Sequence, residues 1–289
     1  MYNYSYKLIK IQKEETNMKI NKILLGTLFI AAGLTLAACG NSQSSSQNQL
    51  QSIKSSGTMT VALSADYPPF EYQTIKNGKN EIVGSDVDLA NAIGKALGVK
   101  VKISNMDFNN VLTSVASGKA DIAISGISYT PQRAQSYDFS TIYYDSPNVI
   151  IIKKSDLNKY KSLSDFSGKN IAAQKGSIQE QMAQTEIKGA TEVSLPQIGD
   201  EVNELNAGKV QGAVVEKLIA QSYIEANPQL TMANVEVPAL TKNYGMAVAM
   251  PKGSTALKAA VDKVISQMKS DGSLNKSIED NYKLSQNTK

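Results

Sequence analysis

Two stretches of the chain read alike: Ser117-Gly118-Lys119-Ala120-Asp121-Ile122-Ala123-Ile124-Ser125 and Ala207-Gly208-Lys209-Val210-Gln211-Gly212-Ala213-Val214-Val215. Each leaves a helical pattern through Gly-Lys and enters a short apolar strand. A polar residue stands at or just past each tip, Ser125 in the first and Glu216 in the second. Glycine directly after the last helical position is how a helix closes in a left-handed turn. A brief apolar run carrying β-branched residues is a buried strand. A chain that makes this passage twice is constrained to two similar α/β lobes, each offering strand ends to a shared cleft.

The surrounding pattern agrees. In the first half, strands are predicted at 58–63, 82–83, 100–103 and 122–124, with helices at 86–98 and 108–117. Val87, Ala90, Ile93 and Leu97 share one helical face, acids occupy the first turn, and Gly98 ends it. In the second half, strands are predicted at 149–152, 170–173, 193–195 and 213–215, and helices from about 178 and over 202–207. A last strand at 246–249 and helices at 256–271 and 274–282 close the chain. On the longer helix Leu257, Val261, Val264 or Ile265, and Met268 form the apolar stripe. Alternating strands and helices imply mostly parallel sheets. Ligands of such sheets sit beyond the carboxyl ends of the strands.

At that edge lies the segment from Asp121 to Arg133. Its strand ends at Ser125-Gly126, a loop carries Ser128 and Thr130, and Thr130-Pro131 predicts a capped helix start. Arg133 follows, with a planar fork able to hold a carboxylate through two parallel hydrogen bonds. Hydroxyl donors, a glycine, a helix N-terminus and a bidentate cation suit a small carboxylate-bearing molecule. The same residues also fit a strand–turn–helix whose Arg makes a surface salt bridge.

Composition removes other classes. The chain has no histidine and one cysteine, Cys39, so His-dependent nucleophilic catalysis and the commonest metal ligand are missing. There is no G-x-x-x-x-G-K-[ST] loop and no G-x-G-x-x-G after a strand. The net charge of +4 contains a surplus of +3 from residues 1–38, where five lysines face two glutamates, which leaves +1 for the remainder. No basic patch of the kind nucleic acid requires is left. Lys19 and Lys22 precede an apolar stretch at 23–36 that ends Leu36-Ala37-Ala38-Cys39, as a secretory signal does. Residues 1–17, ahead of Met18, read as an over-called start. Residues 41–52 are rich in Ser, Gln and Asn, so 39–56 is expected to be a flexible tether.

Leu-Ala-Ala-Cys resembles the lipobox of bacterial lipoproteins, which implies lipidation of Cys39 and anchoring by two acyl chains. The rest of the chain resembles the family 3 extracellular solute-binding proteins, the amino-acid-binding subunits of polar amino-acid ABC importers. The resemblance is carried in family order from about 57 to 285. Its motifs are Tyr67-Pro68-Pro69-Phe70-Glu71-Tyr72, Gly84-Ser85-Asp86-Val87-Asp88-Leu89-Ala90, Asp107-Phe108, Ser125-Gly126-Ile127-Ser128, Thr130-Pro131-Gln132-Arg133, Asp138-Phe139-Ser140 and Gln174-Lys175-Gly176-Ser177.

The resemblance implies an α/β type II periplasmic-binding-protein fold of two lobes joined by two hinge crossings, near 145–148 and 237–243. Lobe 1 would comprise 57–145 plus 243–289, and lobe 2 would comprise 148–237. It implies a free amino acid as ligand, permease and ATPase subunits as partners, no cofactor, no metal and no catalysis. It also implies a monomer held by its lipid on the outer face of the cytoplasmic membrane. Carried residue by residue, Arg133 would hold the ligand α-carboxylate with amides near Ser128, Thr130 and, from lobe 2, Gly176-Ser177. The Gly126 carbonyl, the Ser128 hydroxyl and Glu216 would hold the ammonium. Tyr67 and Phe108 would wall the side chain, and Ser64 and Ser125 would complete the pocket. Gln174-x-Gly176-Ser177-x-Gln179-Glu180 leans toward the basic amino-acid branch, arginine first. Ser64 stands where basic-ligand relatives often have an acid, which keeps glutamine as an alternative. A cyclohexadienyl dehydratase-like enzyme and a ligand sensor are the rival readings.

Overall fold

The computed structural model describes residues 41–76, 78–240 and 244–286. The signal segment and the Cys39 lipobox lie outside the described residues. Two five-stranded sheets form the frame, with orders β5-β1-β6-β13-β7 and β10-β9-β11-β8-β12. The first is built from β1 (Thr58–Leu63), β5 (Lys100–Asn105), β6 (Ile122–Ala123), β7 (Tyr137–Phe139) and β13 (Ala249–Pro251). The second is built from β8 (Asn148–Lys153), β9 (Asn170–Gln174), β10 (Thr191–Leu195), β11 (Gly212–Glu216) and β12 (Leu230–Met232). In each, four strands point the same way and one, β13 or β8, runs antiparallel to both its neighbours, so the sheets are mixed.

The repeated sequence phrase produces the same local structure twice. Gly118 and Gly208 both adopt left-handed backbone, at φ 71° and 77°. Lys119 and Lys209 then donate their N–H groups back to Ser114 and Glu204. Asp121 Oδ2 accepts the N–H of Thr60 at 2.7 Å, and Gln211 Oε1 accepts that of Asn170 at 3.0 Å. Each side chain thereby pins the start of the neighbouring parallel strand. β6 and β11 each end up central, between a parallel and an antiparallel partner.

Period-two alternation buries both faces of each sheet. In lobe 1, Met59 and Val61 pack toward α2 (Ser85–Leu97) and α8 (Thr255–Ser270), through Leu89, Ile93, Leu257 and Val261. Ala62 faces α3 (Phe108–Ala116) through Val111 and Val115. In lobe 2, Ala213 and Val215 meet α6 (Ile198–Ala207) and α7 (Lys217–Ala226), while Val214 meets α5 (Ile178–Thr185). The strands of the first sheet come from both sides of the second in sequence, so the chain passes between lobes after β7 and again after β12. At the crossings Tyr244 Oη donates to the Ser146 carbonyl and accepts from Asn148 Nδ2. Residues 241–243, within the expected second crossing, lie outside the described residues.

Three sequence expectations are corrected. The supposed tether is α1 (Asn41–Ser56). Its Leu50 and Ile53, three apart on one helical edge, pack on lobe 1, and Gln49 bonds the Asp121 carbonyl and Ser254. The helix after Pro131 is a single turn, α4 (Arg133–Ser136), because Tyr137–Phe139 is drawn into edge pairing with β13. The last strand begins at Ala249 rather than Met246; Met246 instead makes isolated bridges with Ser128 and Tyr144. A lobe 1 hairpin of β2 (Asp66–Tyr67), β3 (Glu71–Lys76) and β4 (Lys79–Val83), and the final α9 (Ser273–Gln286), complete the fold.

Candidate functional site

Thr130 Oγ1 accepts the Arg133 N–H at 3.1 Å and fixes the turn that carries the arginine. The guanidinium donates from Nη1 to the Ser128 carbonyl of its own lobe at 2.8 Å. From Nη2 it donates across the cleft to the Gly176 carbonyl of lobe 2 at 2.9 Å. The lobes are thus closed on each other at this point. Gly176 comes so near α3 that an added Cβ would lie 3.2 Å from the Asn109 Cα. Two of the five guanidinium N–H donors go to carbonyls. Among the described residues no carboxylate pairs with Arg133, and desolvation lowers it to about 10. The surface salt-bridge reading is therefore wrong: Arg133 is a half-buried cation without a carboxylate partner among the described residues, at the seam between lobes.

The other end of the cleft is acidic. Glu216 closes β11 and heads α7, yet it is 1 % exposed. Burial drives its carboxyl well above the usual range, the charges of Asp145 and Asp86 add to this, and a hydrogen bond with Tyr67 partly offsets it. Its Oε2 has no hydrogen-bond partner. A glutamate at a helix start ordinarily sits in water near the positive end of the dipole; this one does not. The Tyr67 ring also lies against Gly126, where an added Cβ would come within 2.8 Å of Cε1.

Asp66, one residue before Tyr67, spans the cleft. Its Oδ2 accepts Gln174 Nε2 at 3.0 Å and the Ile198 N–H at 2.8 Å, both from lobe 2. Its Oδ1 accepts Ser64 Oγ, and its backbone carbonyl accepts the Tyr223 hydroxyl. Burial raises it to about 6 despite these donors. Behind the Ser125-Gly126 turn lies a buried carboxyl pair. Ser125 Oγ accepts the Ser64 N–H at 2.9 Å and donates to Glu71 at 2.7 Å. Asp86 accepts the Gly126 N–H at 3.1 Å and the Tyr143 hydroxyl at 2.7 Å. Burial, and then the charge of Asp86, push Glu71 well up, and Glu71 Oε2 and Asp86 Oδ1 are each left without a hydrogen-bond partner.

Arg133, Ser128, Thr130 and Gly176 are brought together at one end, and Tyr67, Gly126 and Glu216 at the other. The Ser64 and Ser125 hydroxyls are spent on Asp66 and Glu71, inside the scaffold. The Ser177 hydroxyl caps α5 by accepting the Glu180 N–H at 3.0 Å. Phe108 is half-buried and packs on the apolar cluster that holds Val111 and Val115, beside the Asn109–Gly176 approach, and among the described residues it makes no ring contact with Tyr67. Sequence reasoning missed the bridging role of Asp66, the Glu71–Asp86 pair and Glu201. Glutamate and aspartate in the Tyr67–Tyr72 and Gly84–Leu89 motifs carried a signal for the pair.

Residues 59–283 match the bacterial extracellular solute-binding proteins, family 3. The chain belongs to that family. It is 34 % identical to the arginine-binding extracellular protein ArtP of Bacillus subtilis over 253 residues, 86 % of this chain and 94 % of that protein. It resembles the solved structure of an amino acid ABC transporter substrate-binding protein, AbpA of Streptococcus pneumoniae, bound to L-arginine. The TM-score is 0.79 at 48 % identity, with 81 % of this chain and 98 % of that one covered. A third likeness is to the ancestral amino acid-binding protein AncCDT-1, a precursor of cyclohexadienyl dehydratase, with TM-score 0.72, 30 % identity and coverage of 81 % and 98 %. The two-lobed fold is that of the type II periplasmic binding proteins. Among the described residues no helix is long and apolar enough to cross a membrane.

Proposed function

We propose that the protein captures a free polar amino acid, arginine in preference, outside the cell and delivers it to an ABC importer. The observation that carries the reading is Arg133, a half-buried cation lacking a carboxylate and shared between the lobes. An α-carboxylate supplies the missing charge, and its bidentate geometry matches the fork. Glu216, with its unpartnered oxygen, takes the ammonium together with the Gly126 carbonyl and the Ser128 hydroxyl. The acidic lining around Tyr67 favours a second positive charge at the side-chain end. The L-arginine named for the AbpA structure and for ArtP supports that choice. Cys39 holds the protein to the membrane through lipid, and the protein acts as a monomer beside its permease and ATPase.

We take it to be a binder rather than an enzyme. The AncCDT-1 likeness is to a protein itself named for amino acid binding, and incubation with prephenate or arogenate is expected to give no product. The direct test is a thermal-shift screen against the twenty amino acids, ornithine and citrulline. A ligand that binds only the folded state at 100 times its Kd adds about 2.7 kcal/mol of stability. L-arginine is expected to give the largest rise, and a flat response to all compounds rejects the reading.

A further inference from the structure

Glu201 has no part in the site built so far. It lies in the first turn of α6, is 0 % exposed, and neither carboxylate oxygen has a hydrogen-bond partner. An ionised carboxyl can accept about four hydrogen bonds, and burying it with none is costly. Packing does not call for it, since Ile198, Val202 and Leu205 already supply the apolar face of the helix.

Its surroundings place the group at the lobe boundary. α6 abuts the hairpin of lobe 1, where the Ile198 N–H at the head of the helix donates to Asp66. The charge of Glu201 acts on Asp66 and on the Tyr67 and Tyr223 hydroxyls. Tyr67 also feels Glu216, the group assigned to the ammonium. The facing groups are therefore Asp66, Asp200, Tyr67 and Tyr223; no Lys or Arg side chain acts on Glu201. Asp66 is already committed to Ser64, Gln174 and Ile198, whereas both oxygens of Glu201 lack a donor. Metal binding is not indicated, because no group of three or more metal-ligating side chains gathers among the described residues.

We propose that Glu201 is the specificity-determining residue for a basic ligand: its carboxylate receives the cationic end of the side chain while Arg133 and Glu216 hold the carboxylate and ammonium. This rests on the amino-acid-capture reading above. It also answers the difficulty raised by Ser64, because the acid comes from lobe 2 instead. Closing the lobes brings it to the ligand, so charge selection and closure are coupled.

The test compares L-arginine with L-citrulline, its neutral isostere, by calorimetry on the wild type and on Glu201→Gln. The wild type is expected to prefer arginine. In Glu201→Gln arginine should lose roughly 30-fold or more, the low end for removing one member of a buried charge pair, while citrulline changes by less than about threefold. Melting of the ligand-free variant should stay close to that of the wild type, since glutamine is a near-isostere and no hydrogen bond to Glu201 is lost. An arginine affinity within about threefold of wild type, equal losses for both ligands, or a sharply lowered melting point each overturns the assignment. If the wild type binds neither ligand, amino-acid capture itself fails and the inference goes with it.

Discussion

The two lobes share a scaffold and differ in chemistry at one point. β6 and β11 are reached through the same Gly-Lys turn, pinned by the same kind of side-chain acceptor, and flanked by the same pair of neighbours. At their tips they part. Lobe 1 ends in Ser125-Gly126, whose hydroxyl and N–H are satisfied by buried groups behind them and whose lack of a Cβ lets the Tyr67 ring approach. Lobe 2 ends in Val215-Glu216, which carries a buried carboxyl with a free oxygen. Where the repeats agree the residues build the frame; where they diverge the residues are left with unmet bonding capacity, and there a ligand belongs.

The largest expected effect is at the cation that this division leaves unpaired. Arg133→Ala should weaken amino-acid binding by about 2–5 kcal/mol, the range for stripping one partner from a desolvated charge pair. For a micromolar ligand, bound by about 8 kcal/mol, that moves the dissociation constant to between about 30 μM and several mM, a loss that calorimetry reads directly. The fold should persist, because Arg133 holds only two carbonyls. Near-native affinity in this variant breaks the assignment of lobe 1 as the carboxylate end.

Next comes pH. Asp66 and Asp86 are both raised to about 6, chiefly by burial. A carboxyl with a higher pKa in the folded state binds its proton more tightly there than in the unfolded chain. Its stabilising contribution is full below about pH 4 and is lost as the pH rises through 6. Two units correspond to about 3 kcal/mol for each group. The ligand-free protein is therefore expected to melt at progressively lower temperature between about pH 4 and 6. Saturating arginine should flatten that fall by supplying positive charge to the cleft. A ligand-free melting point that climbs over the same interval contradicts the placement of these carboxyls.

The diverging tips can be set against each other directly. Ser125→Ala leaves the Ser64 N–H and the Glu71 carboxyl without their partner, and should cost about 1–3 kcal/mol of stability while sparing the ligand contacts. Glu216→Gln should do the reverse, keeping or raising the ligand-free melting point and reducing affinity. Chemical denaturation and calorimetry on both variants separate the two roles. If both lose stability and neither loses affinity, the tips are equivalent and the contrast is void.

Much of this frame was legible in the residues themselves. Gly118 and Gly208 close helices, the apolar runs 122–124 and 213–215 alternate toward two cores, and Thr130 bonds the Arg133 N–H as the Thr-Pro pair predicted. What stayed hidden depends on contacts between distant segments. Asp66 reaches Gln174 and Ile198 only because the lobes meet, and no local period announces that. Glu201 reads as one more acid at a helix start until its burial is seen. α1 escaped because Leu50 and Ile53 are the sole apolar edge of a polar tract. The start of β13 shifted because Met246 satisfies two isolated bridges near the crossing rather than a continuous ladder.

The smallest effect sharpens the comparison most, because it concerns the part the lobes share. Asp121 and Gln211 occupy equivalent places, and each accepts one N–H from the start of a parallel neighbour. Truncating either to alanine removes a single strand-pinning bond worth about 0.5–1.5 kcal/mol. For a body of this size that is a fall of roughly 2–4 °C per kcal/mol, with amino-acid affinity unchanged. Asp121 bonds through an ionisable oxygen at the shorter distance, so its loss should be the slightly larger of the two. If one substitution is silent while the other unfolds a lobe, the acceptors are not equivalent. The likeness between the two phrases would then be one of sequence and not of the forces that hold the strands.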